Sequence, residues 1–521
     1  MTRTKKHRSS KPYAGQAIHF IGAGGCGMSG LAEFALREGG QVGGSDMKAS
    51  SATDRLVRLG AAIHIGHAAE NVPPGTGLVV YSAAVKPDNP ERVEAGRRGI
   101  PALKYARFLG RLMNLRQGIA VSGTHGKSTT TSMVSYVLAE AGLDPSFVIG
   151  AEVPQLGGGS RVGRGPHLVV EACEYDRSFL NYSPRAAAVL NVEEDHLDYY
   201  RDLREIRRAF GDFAARIAAD GLLVIYARDL GRRSIERRAR CKVEKFGIGG
   251  RWDWHAENLE ADRGRFAFDV YRHSDFYVHV KLGLAGRHNV LNALAAMALC
   301  TWAGAPREAI AEALGSFQGA LRRMEILGEA GGVTVVDDYA HHPTEIEATL
   351  KAARDRFEPR RLWVVFQPHQ HSRTRFFLKD FARALTVADK IVVPDIYFVR
   401  DSEKERQAVR SQDLVAEIQN LGADALHIKE FDSIRRYLVE SLAAGDVLMT
   451  MGAGDVWRLA SPVLADLGGR RAAGTPRAAA GAGTRRKVRY ADRAVLGLAR
   501  RVRRPAAQRL GFADRACKEV P

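Results

Sequence analysis

At 521 residues the chain is too long for one hydrophobic core, so about three domains are expected. Hydrophobic residues make up 45%, as in soluble globular proteins, and the longest apolar run, Ala293 to Ala303, is about half of what a bilayer span needs, which excludes a transmembrane helix. The formal charge of +18 is confined to the ends: residues 1–12 hold five Lys/Arg and no acid, residues 469–521 hold fifteen against Asp492, Asp514 and Glu519, and the 456 residues between carry about +1, so nucleic acid is not the expected partner.

The basic extension, residues 1–14, has no apolar core behind it and is not a secretory signal. Five scattered cysteines (Cys26, Cys173, Cys241, Cys300, Cys517) without paired spacing fit a reducing cytoplasm. A first α/β domain, residues 15–116, opens with a short strand, Gln16 to Ile21. A glycine loop from Gly22 to Gly30 follows, then a helix, Leu31 to Arg37. Gly22, Gly24 and Gly27 satisfy the dinucleotide fingerprint, and Asp46 ends the next strand at about the ribose-binding distance. The motif encodes only a helix N-terminus facing a diphosphate, which any nucleotide diphosphate satisfies. A strand signal at Leu78 to Tyr81 continues into Ser82-Ala83-Ala84.

The central domain, residues 117–320, is organised around Val121-Ser122-Gly123-Thr124-His125-Gly126-Lys127-Ser128-Thr129, between an apolar strand and a helix-periodic segment, Met133 to Leu138. Its glycines let backbone N–H groups close around a phosphate chain, Lys127 supplies a point charge, and the hydroxyl of Ser128 or Thr129 suits a Mg²⁺ position. This is a nucleoside-triphosphate loop in its shorter form, since the position five before Gly126 is Val121. Two apolar strands then end in acids: Glu171, Glu174 and Asp176 after the first, and Glu193, Glu194, Asp195, His196 and Asp198 after the second. Parallel strands bring their carboxyl ends to one edge, so these groups point to Mg²⁺ coordination beside the loop. Asn289 and Asn292, three apart at the start of an Ala/Leu-rich helix, share a face and either cap it or read an adenine edge.

The pattern restarts over residues 321–468. Strands are expected at Gly332 to Val336, Leu362 to Phe366, Lys390 to Val393 and Val447 to Thr450, with a helix over Pro343 to Phe357. Asp337 to Pro343 and Gln367 to Arg375 lie at strand ends. His341 and His342 are adjacent and lack a third ligand at zinc-like spacing, so polar contacts to substrate are favoured. Arg373 and Arg375 suit a carboxylate or phosphate clamp. Residues 469–521 form a basic tail, disordered or partly helical, whose start (Arg470 to Thr484) reads as linker.

Gly22 to Gly30, Gly123 to Thr129, Glu171 to Asp176, Asn191 to Asp198, Gly286 to Asn292, Asp337 to Thr344 and Phe366 to Arg375, in that order, resemble the Mur ligase family over residues 15–468. The resemblance implies an α/β protein of three domains: an N-terminal Rossmann-like domain for a UDP-sugar, a central P-loop ATPase-type domain and a C-terminal Rossmann-like domain for the amino acid. It implies ATP-dependent joining of L-alanine to the lactyl carboxylate of UDP-N-acetylmuramate through an acyl phosphate, with ATP and Mg²⁺ as cofactors, in a cytoplasmic monomer or weak dimer. The nearest alternative is the related ligase that attaches a recycled tripeptide to the same sugar. A nucleic-acid-binding ATPase using the basic tail is the alternative of another class.

By position, the resemblance puts Gly22, Gly24, Gly25, Gly27, Met28, Ser29, Asp46 and Ser82 at the UDP-sugar. Gly123, Thr124, His125, Gly126, Lys127, Ser128, Thr129, His288, Asn289, Asn292 and Arg323 fall at ATP, with Ser128 or Thr129 and Glu171 at one Mg²⁺ and His196 at a second. Asp338, Tyr339, His341, Arg373 and Arg375 fall near the amino acid and the reacting carboxylate, with Lys127, His341, Arg373 and Arg375 catalytic and His341 a candidate base. Two positions depart from the family: Cys173 stands where an acid is usual, leaving Glu174 as an alternative ligand to Glu171, and Ala340 replaces a glycine.

Overall fold

The computed structural model describes residues 11–473, folded as three sheets of mainly parallel strands with helices against their faces. Parallel strands covered on both sides must be apolar throughout, which is why the short continuous runs, rather than alternating ones, marked them in the sequence.

The first sheet holds β1 (Ala17–Ile21), β2 (Gln41–Asp46), β3 (Ala62–Ile65), β4 (Leu78–Tyr81) and β5 (Ala102–Lys104), all parallel, in the order β3-β2-β1-β4-β5. The order reverses at β1, and the glycine loop leaves that switch point. The helix after it spans Cys26–Arg37, starting earlier than Leu31 because the glycine-rich segment supplies its first turn. Ser82 to Ala84 do not prolong β4 but leave it as a turn. Part of the basic extension is anchored: Tyr13 is buried, its ring 5.6 Å from that of Phe108.

The central sheet holds β6 (Gln117–Ser122), β7 (Ser146–Val148), β8 (Ser160–Arg161), β9 (His167–Glu171), β10 (Ala186–Val189), β11 (Leu222–Tyr226), β12 (Lys242–Ile248), β13 (Trp254–Asp262), β14 (Arg265–Arg272) and β15 (Asp275–Ala285). Its order is β15-β14-β13-β12-β11-β10-β6-β9-β7-β8, parallel except for the β13-β14-β15 meander and the β7-β8 pair. The meander was not anticipated from the sequence. The apolar run Ala293 to Ala303 belongs mostly to the helix Arg287–Trp302, buried on nearly every side in the core of this domain. The other face of the sheet shares one continuous core with the first domain.

The last sheet is β16 (Glu325–Ala330), β17 (Val333–Asp338), β18 (Leu362–Phe366), β19 (Lys390–Val393), β20 (Ala425–His427) and β21 (Val447–Met451), in the order β16-β17-β21-β18-β19-β20, with only β16 antiparallel. The expected helix Pro343–Phe357 forms as read, with proline in its first turn and the His342 side chain as N-cap. The last helix, Ala460–Ala473, extends past position 468; the rest of the expected tail lies outside the described residues. Among those described, no helix is long and apolar enough to cross a membrane.

Candidate active site at the domain seam

The first glycine loop is tied to the end of β2. Ser45 O accepts from the N–H groups of Gly22 (2.8 Å) and Ala23 (2.9 Å), and Asp46 Oδ2 accepts from Gly24 N (2.8 Å). Asp46 thus shapes the loop itself. Gly27 permits close packing: a Cβ there would lie 2.6 Å from the Tyr105 hydroxyl. Ser82 flanks Gly22, whereas the Met28 side chain is buried in the domain core, so only its backbone faces the loop.

In the second loop, Gly126 precedes the helix Lys127–Glu140 at φ 81°, and a Cβ there would lie 2.5 Å from Asn292 Oδ1. The loop is fastened by Asn191, whose Oδ1 accepts from His125 N (2.7 Å) and whose Nδ2 donates to His125 O (3.1 Å). Lys127 Nζ donates to the carbonyls of Gly123 and Thr124 and to Glu174 (3.0–3.1 Å). Burial opposes its charge, but the Glu174 and Glu171 carboxylates outweigh that and hold it firmly protonated. Burial in turn pushes the Cys173 thiol up to about 12, so this residue is an inert neutral group and not a substitute for the usual acid.

Glu171 Oε2 accepts from Gly150 N (2.9 Å). The structure groups Glu174, rather than Glu171, with Asp195 and His196: one potential ligand atom of each lies within 4.8 Å of the others. His196 turns Nε2 to both carboxylates, 3.8 Å from Glu174 Oε1 and 3.7 Å from Asp195 Oδ2. A neutral nitrogen and two carboxylates make a donor set that accepts a divalent cation. Asp195 also carries a buried ion pair to Arg373 of the last domain. The two-arginine clamp expected of Arg373 and Arg375 does not form. Both lie on a short helix, His371–Phe376, where residues two apart diverge by about 200°, and Arg375 is exposed.

A cavity of 960 Å³ lies between the central and last domains, lined by His125, Gly126, Thr129, His288, Asn289, Asn292, Arg323 and Asp338 among others. Asn289 and Asn292 share the expected face and are bonded to each other (3.0 Å). Burial lowers His288 to about 4, leaving it neutral. Arg323 lies over the Tyr339 ring at 5.1 Å. Burial raises Asp338 to about 6, against Arg323 and two N–H donors, Ala340 and Met324.

His125 crosses the same seam. Its Nδ1 is 3.2 Å from Glu345 Oε1 and its Nε2 3.4 Å from Glu193 Oε2. Burial opposes protonation, but the two carboxylates outweigh it and raise the imidazole to about 9. Thr344 donates to Glu193 (2.6 Å), and His342 Nε2 meets Glu194 O (3.0 Å). His341, by contrast, is pushed down to about 3 by burial and by Arg373. It stays neutral, but such a weak base has little capacity to deprotonate an ammonium group.

Sequence reasoning had missed the seam partners of Asn191, Glu193, Asp195, Thr344 and Glu345, although Glu193 and Asp195 were among the acids expected at Mg²⁺. Four of them lay inside quoted motifs, and the signal that they act together was the recurrence of strand-end acids opposite a histidine-rich strand end.

The sequence matches the descriptions "Mur ligase family, catalytic domain" over residues 17–117, "Mur ligase middle domain" over 121–300 and "Mur ligase, glutamate ligase domain" over 322–454. It is 44% identical over 449 residues to the UDP-N-acetylmuramate–L-alanine ligase of Caldanaerobacter subterraneus subsp. tengcongensis, covering 86% of this chain and 97% of that one. Among solved structures it is similar to the UDP-N-acetylmuramate–alanine ligase of Thermotoga maritima (TM-score 0.72, 29% identity, 88% of this chain and 100% of that one). It is also similar to a murein peptide ligase of Psychrobacter arcticus (TM-score 0.64, 26% identity, 87% and 99%). Three matched domains in the family's order, on a fold that brings a lysine-bearing glycine loop to the edge of a second α/β domain, place this chain in the Mur ligase family.

Proposed function

We propose that this protein joins L-alanine to the lactyl carboxylate of UDP-N-acetylmuramate, with ATP converted to ADP and phosphate, in the cytoplasm as a step of peptidoglycan precursor synthesis. The observation that carries the reading is the meeting of Lys127, Glu174, Asp195 and His196 with Arg373 from another domain, in a chain similar to L-alanine ligases along most of its length.

The first glycine loop and the helix behind it face the diphosphate of the UDP-sugar. ATP enters the seam cavity with its base near His288, Asn289, Asn292 and Arg323 and its phosphates in Gly123 to Thr129. Ser128 or Thr129 with Glu171 would hold one Mg²⁺, and His196 with Glu174 and Asp195 a second; His196 Nε2 facing two carboxylates fits such an ion. Bound there, Mg²⁺ offsets phosphate charge.

The sugar carboxylate attacks the γ-phosphorus and ADP leaves. The alanine amine then attacks the carbonyl carbon of the acyl phosphate, and the tetrahedral intermediate expels phosphate, which takes up the surplus proton of the attacking nitrogen. Lys127, held in place by two loop carbonyls, sets a fixed positive charge against the transferring group. Arg373, oriented by Asp195, fixes the reacting carboxylate from the opposite domain. His341 accepts a hydrogen bond from the amine, which has already lost its ammonium proton to water, because a histidine held near 3 cannot take it. Asp338 and Tyr339 flank the amino acid. Closure of the seam keeps water from the acyl phosphate.

The test is phosphate release from ATP and Mg²⁺ by the full chain. Release requiring UDP-N-acetylmuramate and L-alanine together is the expected result. Release requiring UDP-N-acetylmuramate and the tripeptide, with L-alanine ineffective, would make it a recycling ligase, and release with RNA alone would move attention to the basic ends.

A further inference from the structure

We infer that His125, Glu193 and His342 form a site for one transition-metal ion, zinc(II) above all, at the seam between the central and last domains. One ring nitrogen of each histidine and one Glu193 oxygen lie within 4.8 Å of one another. His125 Nε2 and Glu193 Oε2 are 3.4 Å apart, and the two imidazole centroids 4.5 Å. A tetrahedral ion with bonds of about 2.1 Å holds its ligands about 3.4 Å apart, so one edge of the site already has the required length.

Two imidazoles and a carboxylate are the donor set of three-ligand zinc centres, with the fourth position left to water. The nitrogen pair selects zinc or cobalt over Mg²⁺, which prefers oxygen. The surroundings orient each ligand. Glu345 holds His125 through Nδ1 (3.2 Å), which turns Nε2 to Glu193, and Thr344 Oγ1 donates to Glu193 at 2.6 Å. His342 Nε2 donates to Glu194 O at 3.0 Å, which leaves Nδ1, the helix cap that accepts from Thr344 N at 3.3 Å, as the nitrogen that would exchange this long bond for the ion. A histidine whose second nitrogen is fixed by a carboxylate or carbonyl is the usual arrangement around bound metal.

The site is separate from the Glu174, Asp195 and His196 cluster, and the inference does not depend on the reaction assigned above. Because His125 belongs to the nucleotide loop and His342 to the last domain, the ion would staple the two domains and oppose the opening on which product release depends.

The experiment titrates the full-length chain, without nucleotide or Mg²⁺, with Co²⁺ and then Zn²⁺. One equivalent of Co²⁺ is expected to give the strong visible absorption of four-coordinate cobalt, displaced by Zn²⁺, and Zn²⁺ is expected to raise the thermal unfolding midpoint. His342→Ala and Glu193→Gln should each weaken binding at least about tenfold and remove the rise in midpoint; Glu193→Gln preserves side-chain shape, so a folded variant is available. His196→Ala should leave the cobalt spectrum intact. The absence of four-coordinate absorption would overturn the proposal. So would its persistence in both seam variants, or its loss in His196→Ala instead.

Discussion

His125 Nδ1 and Glu345 Oε1 lie 3.2 Å apart, one in the nucleotide loop and the other on the first turn of a helix in the next domain. The pair is half-buried, and Glu193 completes it from the other side of the ring. The nucleotide loop therefore senses the position of the last domain through one side chain. His125→Ala and Glu345→Gln should each lower kcat/KM for ATP about tenfold, and the double variant should cost little more than either. That corresponds to a coupling energy of about 1–1.4 kcal/mol. Additive losses in this cycle would mean that the contact is incidental to catalysis.

Lys127 carries the second prediction. Its ammonium group is fixed by the Gly123 and Thr124 carbonyls and by Glu174, so the charge is in place before phosphoryl transfer begins. Lys127→Ala should cut the rate of ATP-dependent phosphate release by about 10²–10³ while the KM for the UDP-sugar stays within about twofold. A loss confined to KM would assign Lys127 to ground-state binding alone.

Both glycine loops were legible because their information is local: glycines, a lysine and a helix start within ten residues. The seam was not, because Asn191 reaches the loop from 66 residues away and Glu345 from 220. Nothing in the spacing of either announces a partner at that distance. Arg373 and Arg375 show a different limit. Two residues apart on a strand they would share a face, whereas on a helix they diverge, and a six-residue helix of mixed polarity gives too little periodicity to tell. The β13-β14-β15 meander escaped because its half-exposed strands lack the continuous apolar runs that marked the buried ones.

The same two arginines give a contrast in stability. Arg373 is buried against Asp195, so Arg373→Ala leaves a carboxylate without its cation in the interior and should cost about 3–5 kcal/mol. Arg375 is exposed, and Arg375→Ala should stay within about 0.5 kcal/mol of the parent. Urea unfolding of the two variants side by side decides this; equal losses would show that the Arg373 pair contributes nothing beyond a surface contact.

Glu91 supplies a pH dependence in the first domain. It is fully buried and accepts from His19 (2.6 Å), Ser45 (2.7 Å), His67 and Asn71 (both 3.1 Å), while Ser45 in turn carries the first glycine loop on its carbonyl. Burial alone would raise this carboxyl, but the donors outweigh it and bring it from 4.5 to about 2. An acid lowered in the folded state stabilises the fold above its unfolded pKa, and the contribution is lost as pH falls toward the folded value. The window is therefore about pH 4.5 down to 2, and the full contribution is about 3 kcal/mol. Urea midpoints taken between pH 6 and 3 should fall more steeply in the parent than in Glu91→Gln, which has no carboxylate to protonate. His19 and His67, the other titratable groups against Glu91, are present in both proteins, so the difference in slope reports the Glu91 cluster. Parallel slopes would mean that the cluster is held together equally well by an uncharged acceptor, and that the carboxylate's charge does not stabilise the glycine loop it supports.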